Sequence, residues 1–153
     1  MSTAANRGKS AEATLKRIFS AYSDGHSNFC FERVLDAHSA RGAISSPRTG
    51  DFVLYWQGRN AVIELKTVAH DYRLPKANFG LDQRARMKIR ELAGSTSLVV
   101  VYHSTTDLLR VLPLSYFGTE TTGSWDLRET EALASSSLLE QIFYLATTRS
   151  TNS

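Results

Sequence analysis

The chain has 153 residues, of which 42% are hydrophobic and 22% charged, with a net charge of +3. Such a chain can bury a core as one domain, 1–153, and it has no apolar run near the roughly 20 residues that a membrane helix needs. A single cysteine rules out an intrachain disulfide, and Cys30 with four scattered histidines has no zinc-ligand spacing. The lone thiol is expected to be buried and inert. The amino terminus lacks the apolar centre of a signal peptide, so a cytoplasmic setting is expected, with no membrane partner. Charge is uneven: residues 1–90 carry 15 Lys and Arg against 8 Asp and Glu, and residues 91–153 carry 3 against 7. A basic amino-terminal part fits a polyanion such as nucleic acid, and equally a solvated surface.

In chain order, the polar ends 1–6 and 148–153 are expected to be disordered. Ser10 to about Tyr22 is predicted as a helix, capped by Ser10, with Leu15, Ile18, Phe19 and Tyr22 as its apolar stripe. Residues 28–35 suit a first strand. The Ser-, Gly- and Pro-rich stretch 39–50 is loop. Two strands, about 51–57 and 61–68, flank a turn at "QGRN". Residues 70–80 form a polar connection, and 81–93 a helix ended by Gly94. On that helix Leu81, Ala85, Ile89 and Leu92 share one arc, expected to face the core, with Gln83 well off it. Residues 97–103 are predicted as a buried central strand, 107–114 as its neighbour, "SYFG" as one helical turn, and 129–146 as a last helix. Trp125 is expected to anchor that helix, and either Tyr55 or Trp56 to pack in the core. The order α β β β α β β α gives an α/β domain, a central mixed β-sheet flanked by α-helices.

The second strand of the hairpin reads Ala-Val-Ile-Glu-Leu-Lys-Thr-Val. Residues two apart on a strand share a face, so Glu64 and Lys66 project together while Ile63 and Leu65 point the other way. Buried charge is costly unless paired or bound to a metal. Asp51 opens the partner strand, and pairing across the turn near Gly58 brings it towards Glu64. Two carboxylates and an ammonium are the equipment of metal-assisted phosphodiester hydrolysis: oxygen ligands for Mg²⁺ or Mn²⁺, and a cation for the transition state. Glu-x-Lys alone is common by chance on a solvated edge strand; Asp51, thirteen residues earlier, favours the site.

This arrangement resembles the pattern of the PD-(D/E)xK nuclease superfamily, and four stretches resemble its RecU-type Holliday-junction resolvases. They are "NRGKSAE" (6–12), "TGD" (49–51), "YWQGRNAVIELKT" (55–67) and "LPKANFGLDQRARMK" (74–88). The resemblance implies a restriction-endonuclease-like core and Mg²⁺-dependent cleavage of four-way DNA junctions. It implies metal positions at Thr49, Asp51, Glu64 and Gln83, a transition-state stabiliser at Lys66, and Arg7 and Glu12 near the site and the DNA. By pattern alone, Gln83 is a solvated surface residue. The family's Pro and Leu before Asn-Phe stand in the other order here, and Pro47 restores the superfamily's Pro…Asp spacing. The family's long stalk between its first strands is reduced here to a short stalk-like loop, 36–50. The carboxy-terminal third beyond about 115 matches none of this.

DNA contacts are expected from Arg7, Lys9, Arg41, Arg48, Arg84, Arg86 and Lys88, since like charges at i, i+4 on one helix repel until a polyanion relieves them. His70 and His103 are expected as polar strand-end residues rather than bases. Paired cuts across a two-fold-symmetric junction lead to the expectation of a homodimer, in a bacterial cell or phage-infected host. Two other readings remain: a repair or restriction-type endonuclease acting on duplex, flap or nicked DNA, and a DNA-junction-binding module without catalysis.

Overall fold

Ala11, Leu15 and Phe19 recur every four residues, and the helix they define, α1 (Ala4–Gly25), buries all three completely. The computed structural model describes residues 4–34, 51–69 and 72–151, with side chains described for 8–34, 51–69 and 72–148. Helix α1 starts earlier than its apolar stripe indicates, so Ser10 is an internal residue whose carbonyl accepts from Thr14 Oγ1 at 2.9 Å, not a cap. Helical residues 4–6, and the last helix, α3 (Leu138–Thr151), reach into both ends that composition marks as frayed.

A five-stranded sheet forms the centre. Its strands are β1 (Phe29–Arg33), β2 (Phe52–Trp56), β3 (Arg59–Val68), β5 (Thr96–His103) and β6 (Leu108–Pro113), in the order β1-β2-β3-β5-β6. All neighbours are antiparallel except β3 and β5. A parallel pair needs a crossover. Here the crossover carries α2 (Leu81–Leu92). The β2–β3 turn is two residues, Gln57 at φ 48° and Gly58 at φ 75°, the left-handed pair that matches strand twist in a hairpin. Every residue of β5 is buried, as its central place between β3 and β6 requires.

One face of the sheet packs on α1 and on α3 (Leu138–Thr151) through an apolar cluster including Phe19, Phe52, Leu54, Ile63, Val100 and Ile142. Trp56 sits there, 4.8 Å from Phe143, while its neighbour Tyr55 is 38% exposed. The other face packs on α2 and on a two-stranded ribbon, β4 (Arg73–Pro75) with β7 (Ser124–Asp126). Both ribbon strands lie in stretches with no strand signal; three residues are too few to show a period.

Four expectations about packing are corrected. The last helix starts at Leu138, not 129, because Leu133 bridges to Leu109 on the edge of β6. Trp125 packs on Phe79 and Phe117 in the second cluster rather than on α3. Cys30 is exposed, because on edge strand β1 the flanking Phe29 and Phe31 take the inward positions. Helix α2 is also turned over: Leu81, Ile89 and Leu92 are 44%, 58% and 76% exposed, while Met87 and Arg84 are buried.

Candidate active site

Glu64 and Lys66 lie on the same face of β3, opposite Val99 and Val101 of β5, and so within the layer covered by α2. Glu64 is 2% exposed. Its Oε1 accepts from Lys66 Nζ at 3.3 Å and from Gln83 Nε2 at 3.4 Å. Lys66 Nζ also donates to Gln83 Oε1 at 3.3 Å and to the Asn78 carbonyl at 2.6 Å, and it stands 5.1 Å from the centre of the Phe79 ring. A carboxylate, an ammonium and an amide thus close one network, with each buried charge compensated by the next.

Gln83 reaches this network because α2 presents it inward, beside Met87. The apolar arc of the sequence marks the exposed face instead. The reason lies in what α2 covers: its inner side meets charged and carbonyl groups, so polar residues face in. Asn78 and Phe79 come from the 3₁₀ turn (Lys76–Asn78) and the residue after it. Their part in holding Lys66 has no signal in hydropathy; only the Asn-Phe of the resemblance marks the place.

Asp51 stands one residue before Phe52, the partner of Ile63, so the chain enters the hairpin beside Glu64. Its N–H donates to the Ile63 carbonyl at 2.7 Å, and its carboxylate Oδ2 accepts from Leu65 N–H at 2.7 Å. The side chain therefore takes over the strand ladder at the backbone between Glu64 and Lys66. Gly8, Lys9, Glu12, Asp51, Leu65 and Thr67 surround a cavity of about 290 Å³ that opens beside Asp51 on the α1 face of β3, the face opposite Glu64 and Lys66. Glu12 is ion-paired to Arg33 of β1, which ties α1 to the sheet edge at the cavity.

The basic residues divide. Arg84, expected as a phosphate contact, is instead 5% exposed, because its guanidinium is held from within. Its Nε donates to Phe79 O at 2.9 Å, and its Nη1 to Gly118 O at 3.0 Å and Glu120 O at 2.9 Å; its Cζ is 5.1 Å from the Trp125 ring. It is a core cation. Lys88 is exposed and paired with Glu91 at 3.1 Å. Lys9 is exposed and Arg86 half-buried. Thr49, Arg41, Arg48, Pro47, His70 and the loop 36–50 lie outside the described residues, as does the side chain of Arg7. His103 is a buried strand-end residue whose Nε2 accepts from Arg110 Nε at 2.9 Å; burial, then the Arg110 charge, lowers its pKa from the ordinary histidine value.

Among the described residues, no three His, Cys, Asp or Glu side chains form a metal-sized group. What Asp51, Glu64 and Gln83 offer is an all-oxygen donor set of two carboxylates and an amide, the chemistry that suits a hard divalent cation.

No family model matches the chain, and no curated protein matches it. Solved structures do. Hjc, a Holliday junction resolvase from the archaeal hyperthermophile Archaeoglobus fulgidus, is 15% identical with a TM-score of 0.55, over 82% of this chain and 97% of that one. The bacterial homing endonuclease I-Ssp6803I is 11% identical with a TM-score of 0.51, over 100% of both chains. At these identities the likeness concerns the fold, which is the one expected: a restriction-endonuclease-like α/β core. Also, no helix of the described residues is long and apolar enough to cross a membrane.

Proposed function

We propose that this chain is a Mg²⁺-dependent endonuclease that hydrolyses DNA phosphodiesters at four-way junctions, with Mn²⁺ able to substitute. The observation that carries the reading is the closed contact among Glu64, Lys66 and Gln83, with the Asp51 carboxylate bonded to the backbone between the first two. Asp51, Glu64 and Gln83 would hold the ion together with Thr49. Bound there, the ion lowers the pKa of a water and neutralises phosphate charge.

The chain's own part is positioning. Lys66 is fixed by one carbonyl, one carboxylate and one amide oxygen, so its charge is already in place when negative charge develops on the phosphate. Glu12 and Lys9 border the cavity at Asp51 and give it one acid and one base. Lys9 and Arg86 supply phosphate contacts, joined by Arg7, Arg41 and Arg48. A homodimer places two such sites on a two-fold junction. The RecU-type motifs favour the junction as substrate. The homing endonuclease among the neighbours favours a second reading, in which ordinary duplex, flap or nicked DNA is cut. A module that binds without cutting is disfavoured, since a decayed site loses an acid or the lysine and this one has all three.

The test compares cleavage of a synthetic four-way junction, a flap and a linear duplex, in Mg²⁺ and in EDTA. Paired symmetric nicks in the junction alone are expected, lost in EDTA. Asp51→Asn and Glu64→Gln should each reduce cleavage by about 10²-fold or more while junction binding persists. Equal cleavage by both variants would remove the metal site, and preference for duplex would transfer the activity to the second reading.

A further inference from the structure

Helix α2 covers the β5 side of its sheet face and leaves the hairpin side open. Along β3, Asn60, Val62 and Glu64 alternate onto one face. The face therefore continues from the candidate site towards the turn. Beyond Glu64 it becomes a groove of about 360 Å³, with Val53, Tyr55, Asn60 and Val62 from the hairpin and Arg90 from α2 among its walls. The composition is ordered. Val62 is 4% exposed and Val53 half-buried, so the floor is apolar and smooth. Tyr55 stands on it, 38% exposed, on the strand flanking β3. Ser95 Oγ donates to Asn60 Oδ1, which leaves the amide N–H donors at the rim. Arg90 belongs to the side of α2 that carries Gln83, whereas Lys88 lines a different cavity, with Leu114 and Gly118, across the helix.

We propose that this groove is a seat for one unpaired DNA strand leaving the candidate site, with a base stacked on Tyr55 and its phosphate held by the Arg90 guanidinium and the Asn60 amide. The inference rests on the endonuclease reading and deepens it. Continuity with Glu64 places the groove along the path of a strand whose phosphate lies at Lys66. Charge complementarity comes from Arg90. The floor decides between an unpaired strand and a duplex. A duplex turns its base faces inward and presents phosphates, which gain nothing from Val53, Val62 and an aromatic ring. An unpaired base has a free π-face, and every base has one, so the seat tolerates any sequence. Partial burial, and after it the Glu32 carboxylate on β1, raise the Tyr55 pKa above the ordinary tyrosine value.

The test is fluorescence anisotropy in EDTA, with a fluorescein-labelled single-stranded oligothymidine and a blunt duplex as probes. Tyr55→Leu and Arg90→Ala are each expected to weaken single-strand binding by about tenfold, and Tyr55→Phe by less than about twofold. Duplex binding should change less, and Arg128→Ala, which removes an exposed cation beside Asp126 on the ribbon, should leave both unchanged. Separately, an oligonucleotide carrying 5-iodouracil should crosslink to Tyr55 in the wild-type chain, a result that does not depend on any variant folding. Single-strand affinities of Tyr55→Leu and Arg90→Ala equal to wild type, with no crosslink at Tyr55, overturn the strand seat while junction cleavage by the wild type keeps the endonuclease reading. An equal loss in Arg128→Ala overturns it too, since general charge then accounts for binding. A wild-type chain that neither binds nor cuts DNA ends both.

Discussion

The two faces of the central sheet are built from the same strands and hold different things. The face under α1 and α3 is apolar almost throughout, with Phe19 packed between Phe31 and Phe52 at 5.6 and 5.4 Å. The face under α2 and the β4–β7 ribbon holds the buried acid, guanidinium and imidazole side chains of the described residues: Glu64, Arg84, His103 and Arg110. The difference follows from what covers each face. A helix commits most of its carbonyls to its own ladder and leaves few for a neighbour. Short strands and single turns leave carbonyls over, and on the second face buried cations take them. Lys66 takes Asn78 O; Arg84 takes Phe79 O, Gly118 O and Glu120 O; Arg110 takes Leu127 O and Thr130 O. An irregular cover is thus what lets charge be buried beside the candidate site.

The sharpest way to break this comparison is Arg84→Met. If Arg84 is a core cation, the change strands three carbonyls in an apolar layer between Phe79 and Trp125. A loss of about 2–4 kcal/mol is expected in urea unfolding, with junction affinity and its salt slope unchanged in the folded protein. If Arg84 instead contacted phosphate, stability would hold and the salt slope would fall by about one. The second outcome would return the cation to the surface and undo the account of the irregular cover.

A smaller effect tests the far end of the same layer. His103 accepts from Arg110 and is therefore neutral in the fold, with its pKa lowered by burial and then by the Arg110 charge. The unfolded chain takes up a proton near its ordinary value of about 6.5, and the folded chain only at lower pH. The stability that His103 contributes is accordingly present above about pH 6.5 and falls as pH drops below it, with a slope of at most about 1.4 kcal/mol per pH unit for one proton. His103→Gln should flatten that part of the curve relative to wild type in urea titrations between pH 5 and 7. Parallel curves would mean that His103 titrates alike in both states.

Legibility in the sequence divides along the same line. Strands β2, β3, β5 and β6 announce themselves because both their faces, or one face in strict alternation, are apolar. Asp51, Glu64 and Lys66 are legible because charge on a core strand needs a cause. Gln83 is legible only through the resemblance, since by hydropathy it belongs to solvent. The ribbon strands, the Asn78 carbonyl and the core role of Arg84 are not legible: each depends on a backbone carbonyl meeting a distant cation, and no local period records that. Where helices do the covering, pattern predicts packing; where loops do, it does not.

Helix α2 provides the finest test, because pattern and structure disagree there about which way it faces. By periodicity, Ile89 and Leu92 belong to the buried arc, and Ile89→Lys or Leu92→Glu would then place a charge in the core at a cost of several kcal/mol. In the structure these residues are 58% and 76% exposed, and Met87 holds the core position at 1%. Each of the two substitutions should therefore change stability by no more than about 0.5 kcal/mol, whereas Met87→Ala should cost about 2–5 kcal/mol. The buried Ser97 hydroxyl donates to the Met87 carbonyl at 2.8 Å and pins the same turn of α2 to β5. Thermal melts of the three variants at neutral pH decide the matter. Unfolding of Ile89→Lys would turn α2 back over, and with it would go the inward placement of Gln83 against Glu64 and Lys66. A small surface effect is for that reason the most economical check on the candidate site: the orientation that exposes Ile89 is the one that brings Gln83 to the acid and the lysine.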